Sequence, residues 1–139
     1  MIPALKRDMR LAPQAFDWLG GGPVGLSGRL RRWRVPEDLL SLWAQTGGGD
    51  MFETEELLSP TASEHHDLEA VNHKLWSAGL PSELLVFHIG LFWTAIDGAQ
   101  RVIKVDPDHL APVASFESLS DWYLDLRSEY ARKYGLPGR

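Results

Sequence analysis

Cysteine is absent from this 139-residue chain. That absence excludes disulfides, thiol catalysis and every zinc site built on thiolate. No run of about 18 apolar residues occurs, so no membrane-spanning helix is expected. The first 16 residues mix Lys6, Arg7, Asp8 and Arg10 with short apolar pieces. They lack the continuous apolar core of a secretory signal, which makes the cytoplasm the expected location. No G-x-S-x-G nucleophile motif, internal repeat or low-complexity tract is present beyond two glycine triplets. Residues 35–73 contain no Lys or Arg, although they carry nine of the 19 acids.

What is present has an ordinary globular balance, with 44% apolar and 24% charged residues, and the length fits one hydrophobic core. Residues 1–34 are basic, with seven Lys/Arg against Asp8 and Asp17, and their structure is not readable from pattern. They are taken as part of the same domain as 35–139. The net charge of −5 and the acidic stretch disfavour nucleic acid and favour a cationic partner.

Pro36, Glu37 and Asp38 open a helix, since proline suits a first turn and acids suit its positive end. Leu39, Leu42, Trp43 and Thr46 line one face, and Gly47-Gly48-Gly49 ends it. Met51 to Leu58 reads as a short edge strand. A helix is predicted from Ser63, as its cap, to Ala78, with Leu68, Val71 and Leu75 on one face. Leu84 to Phe87 reads as a strand. Residues 91–96 and 101–105 read as a hairpin with a two-residue turn at Asp97-Gly98 or Gly98-Ala99. Either turn puts Phe92, Thr94 and Ile96 on the core face with Ile103 and Val105. A last helix, capped by Ser115 or Ser118, should reach Tyr134 with the stripe Leu119, Trp122, Tyr123, Leu126 and Tyr130. The class is α+β, with a mixed or antiparallel sheet and packed helices.

Three stretches carry a family resemblance. Val35-Pro36-Glu37-Asp38-Leu39 through Thr46-Gly47-Gly48 is similar to an opening "LP-x-x-hydrophobic … N-G-G" helix and turn. Leu84 to Gly90, followed by Phe92 to Asp97, is similar to two central strands. Val102 to Asp106 and Ala114-Ser115-Phe116-Glu117-Ser118-Leu119 are similar to a further strand and an "S-F-x-x-hydrophobic" helix start. In this order residues 35–130 resemble the SUKH superfamily, the Smi/Knr-type fold. The chain departs from it at Thr46, where the family has Asn, and at Gly90, to which a glycine-rich turn is reduced. The resemblance implies no catalytic residues and no cofactor. It implies a bacterial immunity protein that binds and neutralises a toxin, often a nuclease. The alternative it offers is a regulatory interaction domain of the same fold.

The acidic residues Asp50, Glu53, Glu55, Glu56, Glu64, Asp67 and Glu69, with Trp93, are the expected surface for a basic protein partner. Acids can occupy the places of phosphates on a nuclease and accelerate encounter. Their bland reading is a solvated surface, with Arg29, Arg31, Arg32 and Arg34 available to pair with them. Those arginines around Trp33 could instead grip a nucleic acid, which the overall acidity opposes. His66, Glu69 and His73 would share one face of a helix and could meet a metal, the basis of a second alternative, a metal-dependent enzyme. Ala70 replaces the histidine of an inverted zinc-protease motif, and no metal requirement is expected. Gly20 to Ser27 approaches a phosphate-binding loop but has Leu26 where lysine is needed, and reads as a flexible loop.

Overall fold

A computed structural model describes residues 1–138. Seven strands form one sheet whose spatial order is the chain order, and every neighbouring pair is antiparallel. The strands are β1 (Phe16–Trp18), β2 (Gly49–Met51), β3 (Glu55–Leu57), β4 (Leu85–Ile89), β5 (Trp93–Ile96), β6 (Val102–Asp106) and β7 (Ala111–Phe116). The helices are α1 (Pro3–Leu11), α2 (Glu37–Thr46), α3 (Leu68–Ser77) and α4 (Leu119–Ser128). The α+β class read from the sequence therefore holds. No helix among the described residues is long and apolar enough to cross a membrane.

The basic N-terminal segment contributes α1 and β1, with β1 forming one edge of the sheet. α1 packs Leu5 and Asp8 inward and meets α4, where Asp8 accepts from Arg127 and Tyr123. Gly20–Gly22 is a strip laid along the end of α2. Gly20 N–H donates to Thr46 O and Gly22 N–H to Ala44 O, at 2.9 and 2.8 Å. These bonds satisfy carbonyls that a helix C-terminus leaves without intrahelical partners. The first three residues of the expected loop Gly20 to Ser27 thus form a capping strip, while residues 23–27 lie outside helix and strand as expected. Gly47, at φ +71°, makes the left-handed cap of α2.

Met51 to Leu58 is not an edge strand. It contains the end of β2 and all of β3, a hairpin in the interior of the sheet order, and Phe52 and Glu53 turn between them at positive φ. Phe52 is buried and stacks on Tyr130 with centroids 4.7 Å apart, which holds the turn in place. The predicted helix from Ser63 is also revised. A short 3-10 turn, Glu64–His66, precedes α3, and Asp67 is the cap, accepting from Glu69 N–H and Ala70 N–H.

The β5–β6 register differs from the expected one. Ile96 pairs with Val102 and Trp93 with Val105, so residues 97–101 form a five-residue connection. Asp97 organises it, accepting from Ala99 N–H, Arg101 N–H and Arg101 Nε. Ala95 consequently faces with Ile103 and Trp93 with Val105, while Thr94 and Ile96 face with Lys104 and Val102. α4 is capped by Ser118, whose hydroxyl accepts from Asp121 N–H, and ends at Ser128, short of the expected Tyr134. Its stripe Leu119, Trp122, Tyr123 and Leu126 is buried.

Candidate functional site

The period of two in β1, β2 and β3 sorts their side chains onto two faces. Phe16, Met51 and Glu55 pair laterally on one face. Asp17, Asp50 and Glu56 pair laterally on the other. Three carboxylates thus lie directly opposite one another across three strands. Like charges in that relation repel and destabilise a sheet. Among the described residues, Asp50 and Glu56 approach histidine ring nitrogens but no Lys or Arg, and Asp17 forms no ion pair. Beside the row, Gln14, Ala15, Phe16, Asp17, Asp50 and Glu53 line a cleft of roughly 310 Å³. Three carboxylates and no Lys or Arg contribute to its wall.

The 3-10 turn before α3 brings two histidines to the same row. His66 is buried, and its Nε2 lies 2.9 Å from Asp50 Oδ1 and 3.9 Å from Glu56 Oε1. His65 is exposed, with Nε2 3.7 Å from the same Glu56 oxygen. The turn is tied down by Ser59 N–H to His66 O and Leu68 N–H to Ser59 O.

Glu55 faces the other way and is buried. Its Oε1 accepts from His88 Nε2 at 2.8 Å, its Oε2 from Tyr130 OH at 2.5 Å, and Leu91 N–H donates to both. His88 Nδ1 accepts in turn from Thr94 Oγ1, at 2.9 Å, and from Trp122 Nε1, at 3.4 Å. This network assigns the neutral Nε2–H tautomer to His88. Burial pushes the His88 pKa down, outweighing the carboxylate beside it. Burial works to raise the Glu55 carboxyl, but the bonds from His88 and Tyr130 and the Leu91 N–H outweigh it and hold it below its ordinary value. Tyr130 is pushed up to about 12 by burial and by Glu55, so it remains a donor. A Cβ at Gly90 would strike the Glu55 carboxylate. Every polar atom of the Glu55–His88 pair has a partner and no described cleft is lined by either residue, so the pair works as an internal clasp between β3 and β4.

The predicted surface is accordingly redrawn. Glu55 is removed from it. Asp67 is committed to capping α3, and Trp93 is half-buried against the core. Glu53, Glu64 and Glu69 are exposed, with Glu53 meeting Tyr134 OH at 2.9 Å and Lys133 at 3.8 Å. Asp50 and Glu56 stay on the outer face, and Asp17 joins them from the segment that sequence pattern left unread. Alternation carried the missing signal: in Glu55-Glu56-Leu57, the first residue shares the face of the leucine.

His66, Glu69 and His73 do not meet as expected, because the helix starts after His66. His66 bonds Asp50, whereas His73 Nδ1 lies 3.4 Å from Arg29 Nη1. Arg29, Arg31, Arg32 and Arg34 form no ion pair with the acids among the described residues. Arg29 lies over the Trp76 ring, Arg31 donates to Leu26 O and Arg32 donates to Ser82 O. Trp33 is buried and stacked on Trp76 at 5.3 Å, so it is withheld from any base. Comparison with known proteins adds no relative to this picture: no family model, curated protein or solved structure matches the chain.

Proposed function

We propose that this chain is a protein-binding module that docks a cationic surface of its partner on the Asp17–Asp50–Glu56 row, and that its biological role is toxin neutralisation as an immunity protein. The observation that carries the reading is the lateral stacking of three carboxylates without a Lys or Arg partner. A sheet accepts that cost when something outside it supplies positive charge. The cleft beside the row has room for a lysine or arginine side chain between Asp17, Asp50 and Glu53. A preformed acidic patch steers a basic partner during diffusion and then covers its active surface. The step from protein binding to immunity rests on the sequence resemblance of residues 35–130. An internal clasp in place of an open catalytic constellation is consistent with a binding role.

The test is to search the neighbouring genes for a basic toxin domain and to measure association kinetics against it at several salt concentrations; the absence of any such domain that binds the chain overturns the immunity reading. The on-rate should fall as the Debye length shrinks from about 10 Å to about 3 Å. The double reversal Glu53→Lys and Glu56→Lys should slow association with little change in unfolding free energy. A salt-independent on-rate, unchanged by those reversals, overturns the proposal.

A further inference from the structure

We infer that Glu56, His65 and His66 form a binding site for one divalent transition-metal ion of the zinc class, set on the outer face of β3. The site shares Glu56 and Asp50 with the proposed docking row, but the inference does not rest on that reading, because it concerns an ion bound by the chain alone. Each of the three residues offers one ligand atom, and these atoms all lie within 4.8 Å of one another. The donor set is two imidazoles and one carboxylate, which suits zinc and its late first-row neighbours rather than calcium or magnesium.

The spacing fits. Ligands of a tetrahedral zinc stand about 2.0–2.2 Å from the ion and so roughly 3.3 Å from one another. Glu56 Oε1 is 3.7 Å from His65 Nε2 and 3.9 Å from His66 Nε2, so those two edges need to close by about half an ångström, and the exposed His65 ring supplies the movement that the third edge, within 4.8 Å, requires. Asp50 Oδ1, 2.9 Å from His66 Nε2 in the metal-free chain, is positioned to fill a fourth place once an ion takes over that nitrogen.

Two features give the site direction. His66 is only 5% exposed and its turn is anchored by backbone bonds to Ser59, so one ligand is fixed in advance. The exposed His65 can swing onto an arriving ion. An ion here would also offset the repulsion along the carboxylate row. This ligand set is distinct from the helix face of His66, Glu69 and His73, which the fold does not assemble.

The experiment is calorimetric titration of Zn²⁺ into the full, tag-free chain after chelator treatment, with Co²⁺ absorption as a report on geometry. One equivalent should bind, and Co²⁺ should give the intense bands of a tetrahedral site. His65→Ala and Glu56→Gln should each weaken binding by at least about tenfold, the smallest loss that removing even an outer-shell partner usually brings. Both residues are at least partly exposed, so circular dichroism should show the variants folded, whereas His66→Ala would disturb buried packing. His73→Ala should bind as the unmodified chain does. Zn²⁺ binding weaker than millimolar, binding unchanged in His65→Ala and Glu56→Gln, or binding lost in His73→Ala would each overturn the inference.

Discussion

Arg127 of α4 and Asp8 of α1 form a buried ion pair across 119 positions of sequence, with Nε donating to Oδ2 at 2.6 Å and Nη2 to Oδ1 at 3.2 Å. Tyr123 OH donates to the same Oδ2 at 2.7 Å. Burial and the Asp8 charge push the Tyr123 pKa up, so the phenol stays a donor. Removing one partner of such a pair leaves the other charge buried without compensation. Asp8→Ala should therefore cost about 3–5 kcal/mol. Tyr123→Phe, which removes one bond to a charged acceptor, should cost about 1.5–3 kcal/mol. Urea midpoints measure both, and an Asp8→Ala loss under about 1 kcal/mol would show the pair to be dispensable.

The Glu55–His88 clasp makes the fold acid-sensitive. His88 has a folded pKa below its ordinary 6.5, so on acidification the unfolded chain takes up that proton first. Its contribution is present above about 6.5 and is lost as pH falls toward the lowered folded value. Glu55, also lowered, contributes above its ordinary 4.5 and is lost as pH falls through its folded value. Unfolding free energy should fall in two successive windows below neutrality. Glu55→Gln should shrink the lower one, leaving the part that the lowered Asp97 and Asp106 carboxyls contribute. Stability that stays flat from neutral pH to below 4.5 would contradict the assignment.

Asp17→Asn should raise stability by about 0.2–1 kcal/mol, because it relieves like-charge opposition with Asp50 while keeping the side-chain shape. Most substitutions destabilise, so the sign is informative. Thermal unfolding at low ionic strength is the measurement, and the gain should shrink as salt screens the row.

Glycine positions divide sharply. A Cβ at Gly47 would strike the backbone of Gly20, and its φ is already +71°. Gly47→Ala should cost about 1–3 kcal/mol. A Cβ at Gly22 meets nothing within 4 Å, and its φ lies outside the left-handed region. Gly22→Ala should be neutral within about 0.5 kcal/mol. Denaturant unfolding of the two variants side by side tests the capping strip.

Helices α2 and α4 were legible because their caps and apolar spacing agree. Pro36 and Gly47 bracket α2, and Ser118 opens α4 ahead of Leu119, Trp122 and Tyr123. The β5–β6 register was not legible. Asp97-Gly98 is a strong two-residue turn signal, but the Asp97 carboxylate bonds Ala99 and Arg101 N–H groups and stretches the loop to five residues. Both faces of these strands are buried, so hydrophobicity could not correct the slip: Ala95 and Ile96 are each 0% exposed. α1 escaped notice because one of its inward residues is Asp8, which periodicity counts as polar. Asp17 lies far in sequence from Asp50 and Glu56, and only the sheet register lines up all three.

The chain order of the strands has a kinetic consequence. Each strand finds its partner in the next one to be made, so the sheet can grow vectorially during synthesis without waiting for a distant segment. The Asp8–Arg127 contact is the exception, because α1 is made first and its partner on α4 last. That closure carries the largest loop entropy of the contacts described and belongs after the main barrier. Asp8→Asn should then accelerate unfolding while leaving the refolding rate nearly unchanged in stopped-flow measurements. α1 and α4 act together as a late latch that sets the lifetime of the native state rather than the speed of reaching it.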